Sequence, residues 1–208
     1  MLKLAKPVSR FVHDYLVKTG KKRENKVWGA NYRWEHTLRV AHWARILALG
    51  EKADIEQCVV AALFHDVSHF ISEDYRKHGT KSAEIAKEFL KSEGVPEAFI
   101  NEVCYAIESH VGERNPKTME AKILQDADTI DRFGYFRILM FGKTTDLSNL
   151  KSLTQELRAF LGYLKKLEQG QFGPMWTKLA QTKVSVQMET YTIIYTGLLE
   201  EIENTQLL

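Results

Sequence analysis

Apolar residues recur along the chain at steps of three and four, the spacing that lines one face of an α-helix, and no segment shows the two-residue alternation of a strand. A first amphipathic segment is predicted from about Val8 to Val17, ending before Gly20 and the basic run Lys21-Lys22-Arg23, which reads as a solvated loop. A second runs from about Trp34 to Leu49, with Leu38, Ala41, Ile46 and Leu49 as its apolar positions and Gly50 as its stop. The third has another character. Asp54 is placed to cap it, Gln57 follows three residues later, and Cys58-Val59-Val60-Ala61-Ala62-Leu63-Phe64 is apolar on nearly every side. Such a helix belongs inside a core, and this one leads straight into His65-Asp66.

Further helices are predicted from Tyr75 or His78 to Ser92, closed by Gly94, and from Pro96 to about His110 ahead of Gly112. Asn115-Pro116 restarts the chain into a long helical stretch through Asp126, Asp128 and Asp131. Beyond about Gly142 the positions Leu147, Leu150, Leu153, Leu157, Phe160, Leu164 and Leu167 keep helical steps without histidines or paired carboxylates, the mark of packing. Gly170, Gly173 and Pro174 then punctuate the chain before a last helical stretch toward Ile202. The expectation is an all-α fold: a helical domain over residues 1–142 that carries the chemistry, and a C-terminal helical extension over residues 143–208 packed on it.

Composition adds exclusions. With 44% hydrophobic and 27% charged residues, 12 Gly and 4 Pro, the 208-residue chain is neither disordered nor fibrous. Its 29 basic and 27 acidic residues nearly balance, so no global charge marks a nucleic-acid or membrane partner. Cys58 and Cys104 sit in apolar stretches without CxxC spacing, as reduced structural thiols do. No window reaches the roughly 20 apolar residues of a membrane span. The basic N-terminus lacks the apolar core of a signal peptide, so a cytoplasmic protein is expected.

Candidate chemistry comes from coincidence. His36, His65-Asp66, His78, His110 and the Asp126-Ala127-Asp128 step each fall near the end or on one face of a different predicted helix, the way a bundle assembles a metal site. A polar dipeptide at the mouth of an apolar helix needs a polar partner, which a divalent cation supplies; the plainer alternative is a helix simply leaving the core. Adjacent residues diverge on a helix, so for His65 and Asp66 to meet one ion the helix must be near its end or the metal must sit across the crest, and Ser68 with His69-Phe70 point to an end. Imidazole and carboxylate without thiolate favour manganese, iron, cobalt, nickel or magnesium over a structural thiolate zinc site.

The pieces His36-Thr-Leu-Arg-Val-Ala41, Ala61-Ala-Leu-Phe-His-Asp-Val-Ser-His69, His78-Gly-Thr-Lys-Ser-Ala-Glu-Ile-Ala86, Ile107-Glu-Ser-His110 and Lys122-Ile-Leu-Gln-Asp-Ala-Asp-Thr-Ile-Asp-Arg-Phe-Gly134 occur in an order that resembles the HD-domain superfamily of metal-dependent phosphohydrolases, over about residues 30–140. The resemblance implies His36, His65, Asp66 and Asp128 as metal ligands. Asp128 is preferred because the family presents the Asp of an Ala-Asp step; Asp126 lies about 200° away around an ideal helix. His78 and His110 match further histidines that hold a second metal or bind phosphate in phosphodiesterase-like subgroups. His69 stands where some families carry a lysine, which implies either a proton donor to the leaving oxygen or a group that neutralises phosphate charge, and Asp66 is placed as ligand and proton acceptor. Lys81, Arg132 and Arg137 lie near the motifs and could touch phosphate, although basic residues beside helices are mostly solvated. Trp28, Tyr32, Trp34, Tyr135 and Phe136 could stack on a base or simply pack, and His13 and His42 match nothing in the pattern.

The activity so implied is hydrolysis of a nucleotide or another small phosphate ester by attack of metal-bound water, with one or two divalent ions. Two alternatives are carried with it: a nucleotide-binding sensor without turnover, and a di-iron oxygenase of HD-like fold. A homo-oligomer is compatible with every reading.

Overall fold

A computed structural model describes residues 2–21, 29–72, 74–112, 115–146, 148–169 and 174–205. Among these residues there are nine α-helices and no strand, as the periodicity predicts. They are α1 (Ala5–Gly20), α2 (Ala30–Glu51), α3 (Ile55–Phe64), α4 (His78–Ser92), α5 (Glu97–Ser109), α6 (Met119–Arg132), α7 (Phe136–Thr144), α8 (Leu150–Glu168) and α9 (Lys178–Thr205), with a 3-10 turn at Tyr75–Lys77 before α4. Trp28, Lys22-Arg23, Leu147, Gly170 and Gly173 lie outside the described residues.

The chain divides into two compact units, Met1–Asp131 and Arg132–Leu208. The division falls ahead of α7 rather than after Gly142 because α7 packs with the helices that follow it. Its Phe141 ring lies 5.1 Å from that of Tyr195 on α9 and 6.5 Å from that of Phe160 on α8.

In the first unit α3 is the central element. Every side chain from Cys58 to Phe64 is buried, so a helix with no polar face is surrounded by α1, α2 and α5. Asp54 caps it as the sequence predicts, its Oδ1 accepting from the Gln57 amide at 2.9 Å. α1 contributes Val8, Val12 and Leu16 at steps of four, and α4 packs on α5.

One periodicity is corrected. Leu38 and Leu49 of α2 are exposed, and the face turned inward is Val40, Ala41, Ala44, Leu47 and Ala48, together with His36 and Thr37. Small side chains there let the α2 backbone approach α3 closely, and the buried ring of His36 occupies a place where the apolar pattern has a gap.

The second unit buries Leu153, Leu157 and Leu164 of α8 with Ala180, Val184, Met188, Tyr191 and Tyr195 of α9. The Tyr191 hydroxyl donates to the Gly134 carbonyl at 2.9 Å. No helix among the described residues is long and apolar enough to cross a membrane.

Candidate metal centre

The centre starts where α3 stops. After Phe64 the backbone turns tightly, the amides of Val67, His69 and Ile71 donating to the carbonyls of Phe64, Asp66 and Ser68. Because the helix ends there, His65 and Asp66 face the same space, and both are buried. Buried Ser68 ties this turn to α4: its hydroxyl donates to the His78 carbonyl at 2.9 Å and its amide donates to Ser82 Oγ at 3.2 Å. Gln125 of α6 donates to the Ser109 carbonyl at 2.8 Å, holding α6 against the end of α5 where His110 follows.

Two groups of donors result, with Asp66 in both. In the first, His36 Nε2 lies 3.2 Å from His65 Nε2 and 3.5 Å from Asp66 Oδ2, and His65 Nε2 lies 3.4 Å from that oxygen. Asp128 Oδ1 is 3.4 Å from His36 Nε2. In the second, His78 Nε2 lies 3.1 Å from both Asp66 Oδ1 and His110 Nε2. His110 Nε2 is 4.0 Å from Asp66 Oδ1.

The outer nitrogens settle which way the rings present their lone pairs. His65 Nδ1 donates to the Ala62 carbonyl at 2.7 Å and His110 Nδ1 to the Ile107 carbonyl at 2.5 Å. His36 Nδ1 donates to Asp131 Oδ2 at 2.7 Å. A carbonyl oxygen only accepts, so Nδ1 carries a proton in His65 and His110 and the inward Nε2 is the atom each ring can offer to a cation, and the Asp131 carboxylate fixes His36 in the same sense. Lone pairs facing each other at 3.2 Å repel unless a proton or a cation lies between them. Four ligands about 2.1 Å from one ion stand roughly 3.0–3.4 Å apart, so the first group fits a divalent cation in both distance and donor chemistry.

Charge supports the fit. Burial by itself would raise Asp66, yet Arg33 and His65 hold it well below the usual carboxylate range. Burial works against a charged His36, but Asp131, Asp66 and Asp128 outweigh it and raise its pKa to about 9. His110 moves the other way: burial, and then the neighbouring His65, lower it to about 4. An acidic, cation-seeking pocket therefore adjoins a ring that stays neutral at physiological pH.

The remaining expected site residues are placed as follows. Asp126 is fully buried on the core side of α6, whereas Asp128 faces His36. His69 Nε2 lies 3.1 Å from Arg33 Nη2, so this nitrogen accepts from a guanidinium rather than offering a proton. Lys81 is exposed and donates to Glu84 Oε2 at 2.9 Å, and Arg132 and Arg137 are also exposed. Tyr32 and Trp34 are half-buried, Trp34 edge-on to His13 with ring centroids 5.1 Å apart. Tyr135 and Phe136 are each 45% exposed, and Lys183 Nζ sits 5.6 Å from the Tyr135 ring centroid.

Three residues that motif spacing passes over belong to the centre. Arg33 pairs through Nη1 with Asp66 Oδ2, Asp131 holds His36, and Arg39 holds Asp131. A signal for them exists in the helical repeat: Arg33, His36 and Arg39 follow at steps of three on α2, as Asp128 and Asp131 do on α6.

A family model for the HD domain matches residues 33–132, the segment that contributes every residue of both donor groups. Residues 33–132 are an HD domain. This HD-domain protein is similar over 92% of its length to the crystal structure of a predicted HD superfamily hydrolase from an uncultured Thermotogales bacterium, covering 91% of that chain at 26% identity and a TM-score of 0.62. It shares its fold with Bacillus subtilis YpgQ, crystallised in complex with ADP, at 21% identity and a TM-score of 0.63, over 96% of this chain and 95% of that one. Sequence relatives include the Ribonuclease Y proteins of Desulforudis audaxviator, 31% identical over 121 residues, and Acidothermus cellulolyticus, 30% identical over 112 residues. The alignments take in 57% and 53% of this chain, which spans only about a fifth of the length of those relatives (22% and 21%). The HD domain, the hydrolase relatives and the His/Asp cluster together support a metal-dependent hydrolase.

Proposed function

We propose that the HD-domain protein hydrolyses a small phosphate ester, a nucleotide among the candidates, at a divalent-metal centre held by His36, His65, Asp66 and Asp128. The observation that carries the reading is the pair of inward imidazole nitrogens 3.2 Å apart beside an ionised, buried Asp66. A bound divalent cation supplies a Lewis acid and lowers the pKa of water, the chemistry needed to attack phosphorus at neutral pH.

The chain's own groups supply the rest. Asp66 offers Oδ2 to the first donor group and Oδ1 to the second, so a second cation would be held by Asp66, His78 and His110. With one cation only, His78 and the neutral His110 ring meet a phosphate oxygen as hydrogen-bonding groups instead. Arg33, 15% exposed, stands at the edge of the centre and presents a planar guanidinium suited to a phosphate oxygen. His69 accepts from that guanidinium and orients it. Lys81 and Arg132, exposed as they are, take part only where the substrate reaches beyond the buried donors. The ADP bound by YpgQ belongs to a relative whose likeness carries the fold alone; the nucleotide class rests here on the implied family chemistry. A cytoplasmic setting, with reduced Cys58 and Cys104, is part of the same proposal.

The test is to strip the purified protein of metal, restore manganese, magnesium, iron, cobalt or nickel in turn, and assay a panel of nucleotides and phosphate esters. Turnover that returns with one of these ions and is abolished by Asp66→Ala is expected. Wild-type protein that releases no product with any ion, or an Asp66→Ala variant with undiminished turnover, overturns the reading.

A further inference from the structure

The His36 ring is gripped at both ends by one helix. Asp128 Oδ1 lies 3.4 Å from Nε2 and Asp131 Oδ2 lies 2.7 Å from Nδ1, the two carboxylates standing one turn apart on α6. Asp131 is 7% exposed and is itself held: Arg39 Nε donates to Oδ1 at 2.5 Å and Arg39 Nη2 to Oδ2 at 3.3 Å. Both carboxylate oxygens of Asp131 are thus engaged by the Arg39 fork, and the lone pairs left on Oδ2 point to the imidazole. Arg39 and His36 stand three residues apart on α2, so the chain of contacts runs from α2 to α6 and back to α2.

We propose that Arg39 and Asp131 are positioning residues that set the cation affinity of the first donor group by acting through His36. This rests on the metal-centre reading above and adds to it two residues with no place among the ligands. Three consequences of the geometry support it. An Nδ1–H bonded to a carboxylate leaves Nε2 as the lone-pair nitrogen, so the ring cannot present the wrong tautomer to an ion. The carboxylate also makes Nε2 a stronger donor than a carbonyl partner does, and Nδ1 of His36 meets an acid where Nδ1 of His65 and of His110 meets a backbone carbonyl. Finally, a carboxylate fixed by a planar fork cannot rotate away from the ring, whereas one held by a single ammonium can.

The two donor groups should respond unequally. Asp131 bonds His36 and Arg39 bonds Asp131, at the His36 end of the centre, while the His110 ring of the second group is oriented by the Ile107 carbonyl. Loss of the pair weakens the first group and leaves the second as it is.

The experiment titrates cobalt(II) into metal-free full-length protein, following the visible absorption that reports coordination, for wild type, Asp131→Asn, Arg39→Gln and Arg39→Lys. Circular dichroism at the titration temperature establishes that each variant is folded. Asp131→Asn is expected to weaken cobalt binding about 10- to 100-fold, the usual effect of removing the partner that orients a ligating histidine. Arg39→Gln is expected to weaken it on the order of tenfold, and Arg39→Lys to recover only part of that loss. Should Asp131→Asn fail to fold, the two Arg39 variants decide. Folded variants that bind cobalt as tightly as wild type overturn the inference and leave the metal centre standing, as does full recovery by Arg39→Lys, which would show charge alone at work. Wild-type protein that binds no cobalt, manganese or other divalent ion overturns the metal-centre reading, and this inference falls with it.

Discussion

Arg33 shows how much a single side chain near the centre can be asked to do. Its guanidinium neutralises Asp66 through Nη1 and leans on His69 through Nη2, while its Nε is buried without a protein partner among the described residues. Removing the fork leaves a buried carboxylate short of a counter-charge and the substrate short of a donor. Arg33→Gln should therefore raise KM about tenfold or more, in line with the roughly 1.5–3 kcal/mol of a hydrogen bond to a charged group, as read by steady-state kinetics on the metal-loaded protein. An unchanged KM would remove Arg33 from substrate binding.

His36 gives a second expectation at this scale. Its pKa rises from 6.5 to about 9 on folding, so in metal-free protein it carries a proton at neutral pH that a cation must expel. Metal affinity should climb as pH rises from 7 toward 9 and then level off, and calorimetry in buffers of different ionisation enthalpy should register proton release at pH 7. The same shift stabilises the metal-free fold fully below pH 6.5, and that contribution is lost as pH rises through about 9.

Among elements, the contact of α4 with α5 decides whether the second donor group forms, since His78 opens α4 and His110 follows α5. Gly79 is the point of closest approach. A Cβ built there would lie 2.9 Å from Val111 Cγ2 and 3.1 Å from the Ile107 carbonyl oxygen, the same carbonyl that receives His110 Nδ1. Gly79→Ala should therefore destabilise the fold by about 1–3 kcal/mol, as overpacking does. Denaturant unfolding measures this, and cobalt binding at the second group should weaken with it.

Elements also show what the sequence made legible. The all-apolar run of α3 and its Asp54 cap fix that helix from sequence because both signals are local. Leu38 and Leu49 mislead because burial on α2 follows its alanine face, which only the partner helix reveals. At the centre, the order of His and Asp residues names side chains that the fold brings together. The order is silent on Arg33, Arg39 and Asp131, whose roles depend on which helix faces lie opposite one another. From its place in the chain His69 reads as a proton donor or a neutraliser of phosphate charge, and its contact with Arg33 comes from the fold alone.

Across the molecule, five segments distant in sequence (α2, the turn after α3, the start of α4, the end of α5, and α6) each give polar groups to one buried place. Such a site concentrates buried carboxylates and a proton on His36 in the absence of a cation, and a cation replaces that proton, so cation binding and folding are coupled. A cation at 100 times its Kd should add about 2.7 kcal/mol of stability, raising the unfolding temperature by roughly 5–10 °C for a chain of this size. Differential scanning calorimetry with and without a chelator checks this. A melting profile indifferent to both would separate the fold from the metal.

If the cluster around His65-Asp66 is a metal centre that performs hydrolysis, occupancy and turnover must rise together in one sample. Metal-free protein is titrated with the activating divalent ion while bound metal and released phosphate are measured at every step. Phosphate release that rises in proportion to occupancy, and stays absent in Asp66→Ala at any ion concentration, is the predicted result. Phosphate release that is independent of occupancy, or full occupancy without product from any ester or nucleotide in the panel, would contradict the account.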